Sequence, residues 1–365
     1  MQAIVKTKPE NGAELQEVDT PKIAPDQVLV KVRATSICGT DVHIYRWDAW
    51  ANGRIGASHL PQIMGHEVAG EVVEVGNQVH RIKVGDYISA ETHIYDPGDL
   101  TALVGQLNVG DHMRILGVDT NGAFAEYFAV PESVCWVNDP QMPPEIATIQ
   151  EPVGNAVYAV LGEDHDIAGK SMVILGDGPT GVAAAGVARA CGVTQIFLVG
   201  ENPYNLDIGR KMGADHTLDA NADLDRVAYV RDHTQGYGAD IVVEMAGAPR
   251  ALEEGLQMVR RGGRFSAFGV MSQSPLSLDY NNAIVFKGVQ IHGISGRMIF
   301  DTWYRVRNLL NSGRLDVKPM ITQLLPLAEF EKGFAAAQAR PRNSVKVVMF
   351  PAADEMEQAR KRMGM

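Results

Sequence analysis

The sequence has few cysteines, no long apolar run and a shortage of basic residues. Its 365 residues contain three cysteines, Cys38, Cys135 and Cys191, too few for a disulfide framework or a four-cysteine zinc site. This favours a reducing compartment, and we expect the cytoplasm. No stretch reaches the roughly 18 apolar residues of a membrane span, and charges interrupt the first 19 residues, which therefore lack a signal-peptide core.

The charge balance excludes further classes of protein. Lys and Arg total 33 and Asp and Glu total 44, for a net charge of −11 without any basic run. Such a chain offers little to a phosphate backbone or an anionic membrane surface. We therefore expect neither nucleic acid nor membrane as a partner, and a small molecule as the substrate.

What remains is an ordinary globular composition, 45% hydrophobic and 21% charged, at a length that favours two domains. The first 150 or so residues predict short strands interrupted by glycine and proline. From Ser171 onward, apolar strand-like runs alternate with helical patterns. That alternation predicts an α/β protein with a parallel, doubly wound sheet.

The clearest motif is a glycine-rich loop. The apolar run at 173–175 leads into the GxGxxG segment Gly176-Asp177-Gly178-Pro179-Thr180-Gly181, which opens an alanine-rich helix. Strand, loop and helix in this order are the context in which the motif binds a dinucleotide. The glycines permit a tight turn, close approach of a pyrophosphate and helix–strand packing, and the helix N-terminus faces the anion. We predict cofactor binding by Gly176, Gly178, Pro179, Thr180 and Gly181; the alternative is an incidental glycine turn.

The choice of cofactor is less clearly marked. An acidic residue about 20 positions after the loop normally bonds the adenosine ribose. Here the strand 195–199 is followed by Gly200 and Glu201, so the acid comes one position late. Glu201 would repel a 2′-phosphate, and no arginine follows closely to receive one. The sequence favours NAD and leaves NADP open; alternatively, Glu201 is a solvated loop acid.

Two clusters carry metal-ligand chemistry. Cys38 begins the segment CGTDVH, and His66 and Glu67 follow Gly65. Thiolate, imidazole and carboxylate groups bind zinc, and a catalytic zinc keeps one position open. Cys38 and His66 would supply two ligands, and Glu67 or Glu151 the third. Taken singly, each residue has an ordinary structural interpretation.

Together, the motifs CGTDxH, GHExxGxxxxxG and the later glycine loop resemble the zinc-containing medium-chain dehydrogenase/reductase family. Further segments resemble the branch of that family whose members oxidise the hydroxyl group of threonine. These segments are residues 37–45 with Trp47, Asp48 and Trp50, then residues 151–157, 286–288, 293–297 and 300–304. The resemblance extends from about residue 1 to about residue 350.

The resemblance implies a GroES-like, mostly-β catalytic domain (1–150 and 298–365) and a Rossmann NAD-binding domain (151–297). It implies one catalytic zinc held by Cys38, His66 and Glu67, with Glu151 near the metal and able to exchange with water. It further implies a proton path through Thr40 and His43, substrate binding by His93 and Arg297, and a homotetramer. His93 and Arg297 also have structural alternatives, a satisfied buried histidine and an ion pair between domains.

The activity implied is oxidation of a secondary alcohol with hydride transfer to NAD, favouring an L-threonine-like β-hydroxy amino acid. Polyols, sugar alcohols or hydroxy-sulfonates are alternative substrates, and a non-catalytic NAD(P)H-binding protein or an inert scaffold are alternative classes. Three departures from the family pattern stand out. Residues 95–112 lack the four cysteines of a structural zinc lobe, so packing or a subunit contact must hold them; Gly200 replaces the usual acid; and Ser295 stands where that branch tends to carry an aromatic.

Overall fold

The computed structural model describes residues 1–271 and 275–365, and the chain divides into two compact units. Unit 1 comprises Met1–Glu151 and Ile321–Met365, and unit 2 comprises Pro152–Met320. The second boundary differs from the predicted one after residue 297, because the segment 298–320 packs within unit 2. Trp303 is buried there, and Leu315 lies against Gly186 of the alanine-rich helix.

The strands are β1 (Gln2–Lys6), β2 (Glu14–Glu17), β3 (Gln27–Ser36), β4 (Gln62–Ile63), β5 (Glu67–Val75), β6 (Tyr87–Ala90), β7 (His93–Ile94), β8 (Arg114–Ile115), β9 (Tyr127–Pro131), β10 (Cys135–Val137), β11 (Ser171–Leu175), β12 (Gln195–Gly200), β13 (His216–Asp219), β14 (Ala239–Glu244), β15 (Val259–Ala267), β16 (Gln290–Gly293), β17 (Ile321–Pro326) and β18 (Lys346–Phe350). The α-helices are α1 (Gly39–Arg46), α2 (Ala49–Arg54), α3 (Leu100–Leu103), α4 (Pro144–Ala147), α5 (Gln150–Leu161), α6 (Pro179–Ala190), α7 (Pro203–Met212), α8 (Arg226–His233), α9 (Pro249–Met258), α10 (Asp301–Asn311), α11 (Phe330–Gln338) and α12 (Ala353–Met363). Within the described part of the chain, no helix has the length and apolar character needed to cross a membrane.

Unit 1 is built on a sheet with strand order β10-β6-β5-β3-β18-β17, and β9 also pairs with β3. The β-branched side chains of β3 and β5 pack into an apolar core with Ile88 and Phe128. The antiparallel pairing of β3 with β5 places Ser36 opposite Glu67, and β18 pairs with the same end of β3. The chain therefore brings three sequence-distant segments together where β3 ends and β5 begins.

Unit 2 contains a six-stranded sheet with order β13-β12-β11-β14-β15-β16, and all its strand pairs are parallel. The strands near the middle are apolar on both faces, as expected where helices cover both sides of a parallel sheet. The chain runs outward from β11 to one edge and then returns beside β11 as β14. This is the doubly wound arrangement, and it puts the glycine loop at the carboxyl end of β11, beside the switch point. The predicted fold class is confirmed.

Candidate metal centre and dinucleotide-binding loop

The structure brings three of the predicted metal ligands together in unit 1. One ligand atom from each of Cys38, His66 and Glu67 lies within 4.8 Å of the other two. Among residues 1–271 and 275–365, this is the one group of at least three His, Cys, Asp or Glu side chains so arranged. His66 and Glu67 are buried, and Cys38 is partly exposed. Sulfur, nitrogen and oxygen donors in this number, with one accessible side, suit a catalytic zinc.

Local backbone structure explains how these ligands are aimed. Cys38 is the N-cap of α1, and its backbone N–H donates to Oδ2 of Asp41 at 2.9 Å. Gly65, just before His66, has φ +90°, and a Cβ there would lie 2.0 Å from the Phe124 ring. Only glycine fits this turn, which delivers His66 and Glu67 to the start of β5.

Asp41 is a member of the site that the sequence analysis did not assign. It is fully buried, and its Oδ1 lies 3.6 Å from Nδ1 of His66. An acid facing one ring nitrogen of a ligating histidine fixes the tautomer and leaves the other nitrogen, here Nε2, for the metal. Burial lowers the pKa of His66, but Asp41 and Cys38 oppose this and raise the pKa well above 6.5. Asp41 and Cys38 therefore favour a positive charge at His66, and a bound cation would supply such a charge.

Glu67 is held by two further residues that were not predicted. The Lys346 ammonium donates to both carboxylate oxygens at 2.8 Å and to the Ile37 carbonyl at 3.1 Å. Ser36 Oγ donates to Oε2 of the same carboxylate. Burial and the charge of Glu151 raise the pKa of Glu67, and Lys346 opposes that rise. Three of about four lone-pair positions are thus engaged, which leaves one on Oε1 for a metal.

Glu151 and His93 lie outside the group formed by Cys38, His66 and Glu67. Glu151 is buried, and its Oε1 lies 3.4 Å from Oγ1 of Thr92. His93, in β7, is buried with Nδ1 3.0 Å from Oε1 of Glu91. The same Glu91 oxygen accepts from the His93 backbone N–H at 2.9 Å. His93 is therefore oriented by a carboxylate, as a substrate-binding or structural histidine would be.

Thr40 and His43 lie on α1, immediately after Cys38. Thr40 is partly buried and His43 is exposed. Nδ1 of His43 lies 2.5 Å from Oδ2 of Asp48. Partial burial of Asp48 acts to raise its pKa, but hydrogen bonds with His43 and the Ala51 backbone N–H, together with the charge of His43, outweigh this and lower the pKa from its usual value. One short helix thus leads from a predicted metal ligand to a solvent-exposed imidazole.

In unit 2, the glycine loop has the steric features predicted for dinucleotide binding. Gly176 has φ +119°, and a Cβ on it would lie 2.9 Å from the Ala246 nitrogen. A Cβ on Gly181 would lie 1.9 Å from the Gly176 oxygen, so helix and loop pack too closely for a side chain. Around Gly178 nothing lies within 4 Å of the Cβ position. That open face of the backbone is where a pyrophosphate can approach, with Pro179 and Thr180 beginning the 12-residue α6.

The other predicted residues of unit 2 are Glu201 and Arg297. Glu201 is exposed, directly after β12. Arg297 is buried, and its guanidinium donates to Oδ1 of Asn155 at 3.0 Å. Its side chain also lies against Gly154, where a Cβ would be 2.7 Å away. Arg297 is therefore fixed in the interior of unit 2.

The segment 95–112, which lacks the cysteines of a structural zinc lobe, is fastened by a charged pair instead. Asp99 accepts from the His112 backbone N–H at 3.0 Å and lies 2.5 Å from its Nδ1. The hydrogen bond with Asp99 raises the pKa of His112, and the same bond lowers the pKa of Asp99. Cys135 is buried, and burial raises the pKa of its thiol to about 12, which makes it a structural cysteine.

Comparison with known proteins assigns both units to one family. Residues 24–140 match the alcohol dehydrogenase GroES-like domain and residues 179–312 match the zinc-binding dehydrogenase domain. The chain belongs to the zinc-binding alcohol dehydrogenases. The predicted family and enzyme type are thereby confirmed.

Individual relatives narrow the comparison. The chain is 49% identical over 322 residues to the L-threonine 3-dehydrogenase of Pyrococcus furiosus, covering 88% of this chain and 90% of that protein. It is 45% identical over 334 residues to the L-threonine 3-dehydrogenase of Caldanaerobacter subterraneus subsp. tengcongensis, covering 91% and 94%. The solved structure of alcohol dehydrogenase TADH from Thermus sp. ATN1 superposes with a TM-score of 0.85 at 28% identity, covering 96% of this chain and 99% of that one.

Proposed function

We propose that this enzyme oxidises the secondary alcohol of an L-threonine-like β-hydroxy amino acid, with hydride transfer to NAD. The observation that carries the proposal is the group of Cys38, His66 and Glu67 within 4.8 Å, in a chain whose relatives at 45% and 49% identity are named L-threonine 3-dehydrogenases. One catalytic zinc fits this donor set. When bound, zinc supplies Lewis-acid polarisation of the substrate hydroxyl.

The protein's own residues hold the ligands and move the proton. Asp41 orients His66 and Lys346 orients Glu67. Glu151 is the reserve carboxylate near the metal, since its charge acts on Glu67. Thr40 accepts the hydroxyl proton and passes it to His43, whose exposed ring releases it to solvent. Asp48 fixes that ring, and an imidazole suits the task because it titrates near neutral pH.

The two predicted substrate-binding residues, His93 and Arg297, receive different roles. We assign His93 to the substrate, because Glu91 holds its Nδ1 and so orients the ring. The family resemblance implies substrate binding by Arg297, and an arginine can hold a carboxylate with two parallel hydrogen bonds. The burial of Arg297 and its bond to Asn155 favour a role in positioning α5 instead.

The dinucleotide occupies the loop formed by Gly176, Gly178, Pro179, Thr180 and Gly181, with its pyrophosphate at the N-terminus of α6. Glu201, the other predicted cofactor-binding residue, directly follows β12, which pairs with β11. We infer a homotetramer working in the cytoplasm. The homotetramer is supported by β16, which lies at an edge of the parallel sheet with Ile291 46% exposed, so that it can pair with another copy. The cytoplasm is supported by the cysteines, which are free thiols.

The test follows NADH formation at 340 nm by zinc-loaded enzyme given NAD and L-threonine, with polyols and other secondary alcohols in parallel. We expect turnover with L-threonine, and bound zinc by metal analysis. The matched variant Cys38→Ser should lose zinc and turnover while keeping its NAD affinity, because Cys38 lies in unit 1 and the glycine loop in unit 2. Turnover with a polyol alone would contradict the substrate, and full activity of Cys38→Ser would contradict the metal site.

A further inference from the structure

The end of β12 lacks an acid for a steric reason that lies elsewhere in the chain. A Cβ at Gly200 would lie 2.3 Å from both Cβ and Cγ of Asp177 and 2.5 Å from its Oδ2. The carboxyl group of Asp177, the second residue of the glycine loop, therefore fills the space that a side chain at position 200 would occupy. An acid at 200 and an acid at 177 exclude one another.

The Asp177 carboxylate is held in place by neutral donors. Its Oδ2 accepts from the Asn202 backbone N–H at 2.7 Å, and the Asn202 side-chain amide lies 3.2 Å from each oxygen. Its backbone oxygen accepts from the Asn205 amide at 2.8 Å. These contacts fix the group without cancelling its charge, and they leave lone-pair capacity for another donor. Asp177 is 7% exposed, so these bonds hold a residue of which only a small part remains accessible.

We propose that Asp177 is the cofactor-selecting residue of this enzyme: its carboxylate, placed from the loop onto the end of β12, takes the part of the missing strand-end acid and favours NAD over NADP. The inference rests on the proposed dinucleotide function of the loop. In doubly wound folds this acid accepts from the adenosine ribose hydroxyls. A negative charge at the same place repels a 2′-phosphate, which carries close to two further negative charges.

Glu201 is the competing candidate. It directly follows Gly200 and is exposed, so solvent screens its charge more than that of Asp177. Its backbone oxygen accepts from the Asn221 side chain at 3.3 Å, whereas no hydrogen bond that would fix its carboxylate is seen among the described residues. Selection by an ordered, nearly buried group predicts that Asp177 dominates.

The experiment measures the dissociation constants of NAD and NADP by isothermal titration calorimetry, without substrate, for wild-type enzyme and four variants. The wild-type enzyme should bind NAD at least tenfold more tightly than NADP. Asp177→Asn keeps the size of the side chain and an oxygen for the Asn202 N–H, and it should reduce this ratio at least fivefold. Glu201→Gln should change the ratio less than threefold, as should the control Asp207→Asn on the exposed face of α7. The swap Asp177→Gly/Gly200→Asp, which removes the Asp177 side chain and moves the carboxylate to the strand end, should restore the ratio.

Each alternative outcome overturns the inference. An unchanged ratio in Asp177→Asn, with the urea midpoint also unchanged, would show that Asp177 only fills space and orders Asn202. A collapse of the ratio in Glu201→Gln would transfer the role to Glu201, and a wild-type enzyme that prefers NADP would contradict the selection itself. Failure to bind either dinucleotide would overturn the proposed function as well, whereas tight NAD binding with an unchanged ratio overturns this inference alone.

Discussion

Replacing Asp41 by asparagine should weaken zinc binding far more than it weakens the fold. Asp41 accepts from the Cys38 backbone at 2.9 Å and faces Nδ1 of His66 at 3.6 Å. The asparagine oxygen can still cap α1, but its NH2 group then faces His66. Two donors cannot face one another, so the ring proton shifts to Nε2, the nitrogen needed by the metal. Loss of such an outer partner typically costs 10- to 100-fold in metal affinity, or about 1.4–2.7 kcal/mol.

The assay is a competition titration against a chromophoric zinc chelator at fixed pH, paired with urea unfolding of the same samples. Asp41→Asn should lower zinc affinity at least tenfold, while the free energy of unfolding without zinc falls by less than about 1 kcal/mol because the cap persists. Asp41→Ala should lose both. The control is Asp225→Asn, which alters the cap of α8, where the Asp225 carboxylate accepts from Ala228 N–H at 2.9 Å, and should leave zinc affinity unchanged. Wild-type zinc affinity in Asp41→Asn would refute the argument.

Three further predictions concern unit 1. Lys346→Met should destabilise the chelator-treated protein by about 3 kcal/mol, because it leaves the buried Glu67 without its cation; adding Glu67→Gln should recover most of this, and a double variant as unstable as the single would contradict it. Zinc should slow alkylation of Cys38 by iodoacetamide at least tenfold, measured by peptide mass spectrometry, and an equal rate with and without zinc would remove Cys38 from the ligands. The raised pKa of His112 and lowered pKa of Asp99 mean that their pair stabilises segment 95–112 fully between about pH 4 and 6.5 and less as the pH rises through the His112 pKa. His112→Ala should therefore speed proteolysis of this segment, relative to wild type, more at pH 6 than at pH 8.5. A ratio of variant to wild-type proteolysis rates that does not change with pH would count against the pair.

Much of the fold was predictable because its signals are local. A stretch of about ten residues is enough to predict several elements: β3, the strand–loop–helix around residue 176, and the strands β12, β14, β15 and β16. Shorter and more polar strands escaped notice. The sequence of β13 is HTLD, which has no period that distinguishes it from a turn, and only its pairing with β12 identifies it.

The types of the candidate metal ligands could be predicted from the sequence, but the residues that support them could not. Lys346 is separated by 279 residues from Glu67, and nothing local links them. A signal did exist: a lysine at the start of the apolar run KVVMF is costly to bury without a charged partner. Asp41 also had a signal in the sequence. It lies in the CGTDVH segment three residues after the N-cap, where an acidic side chain can bond back to the N-cap backbone.

The absent strand-end acid shows why a departure from a motif has to be judged in space. The sequence rule places the acid about 20 residues after the loop. At that place the chain has Gly200, so the ribose-binding acid is missing when only the sequence is considered. In the folded chain, residues 177 and 200 meet, because parallel β11 and β12 end side by side and the carboxyl group of Asp177 reaches across. Glycine at 200 is then the residue that makes room for the loop acid. An acid inside the glycine motif and a glycine at the end of the next strand are one feature of this protein, and substituting either position alone should disturb the other.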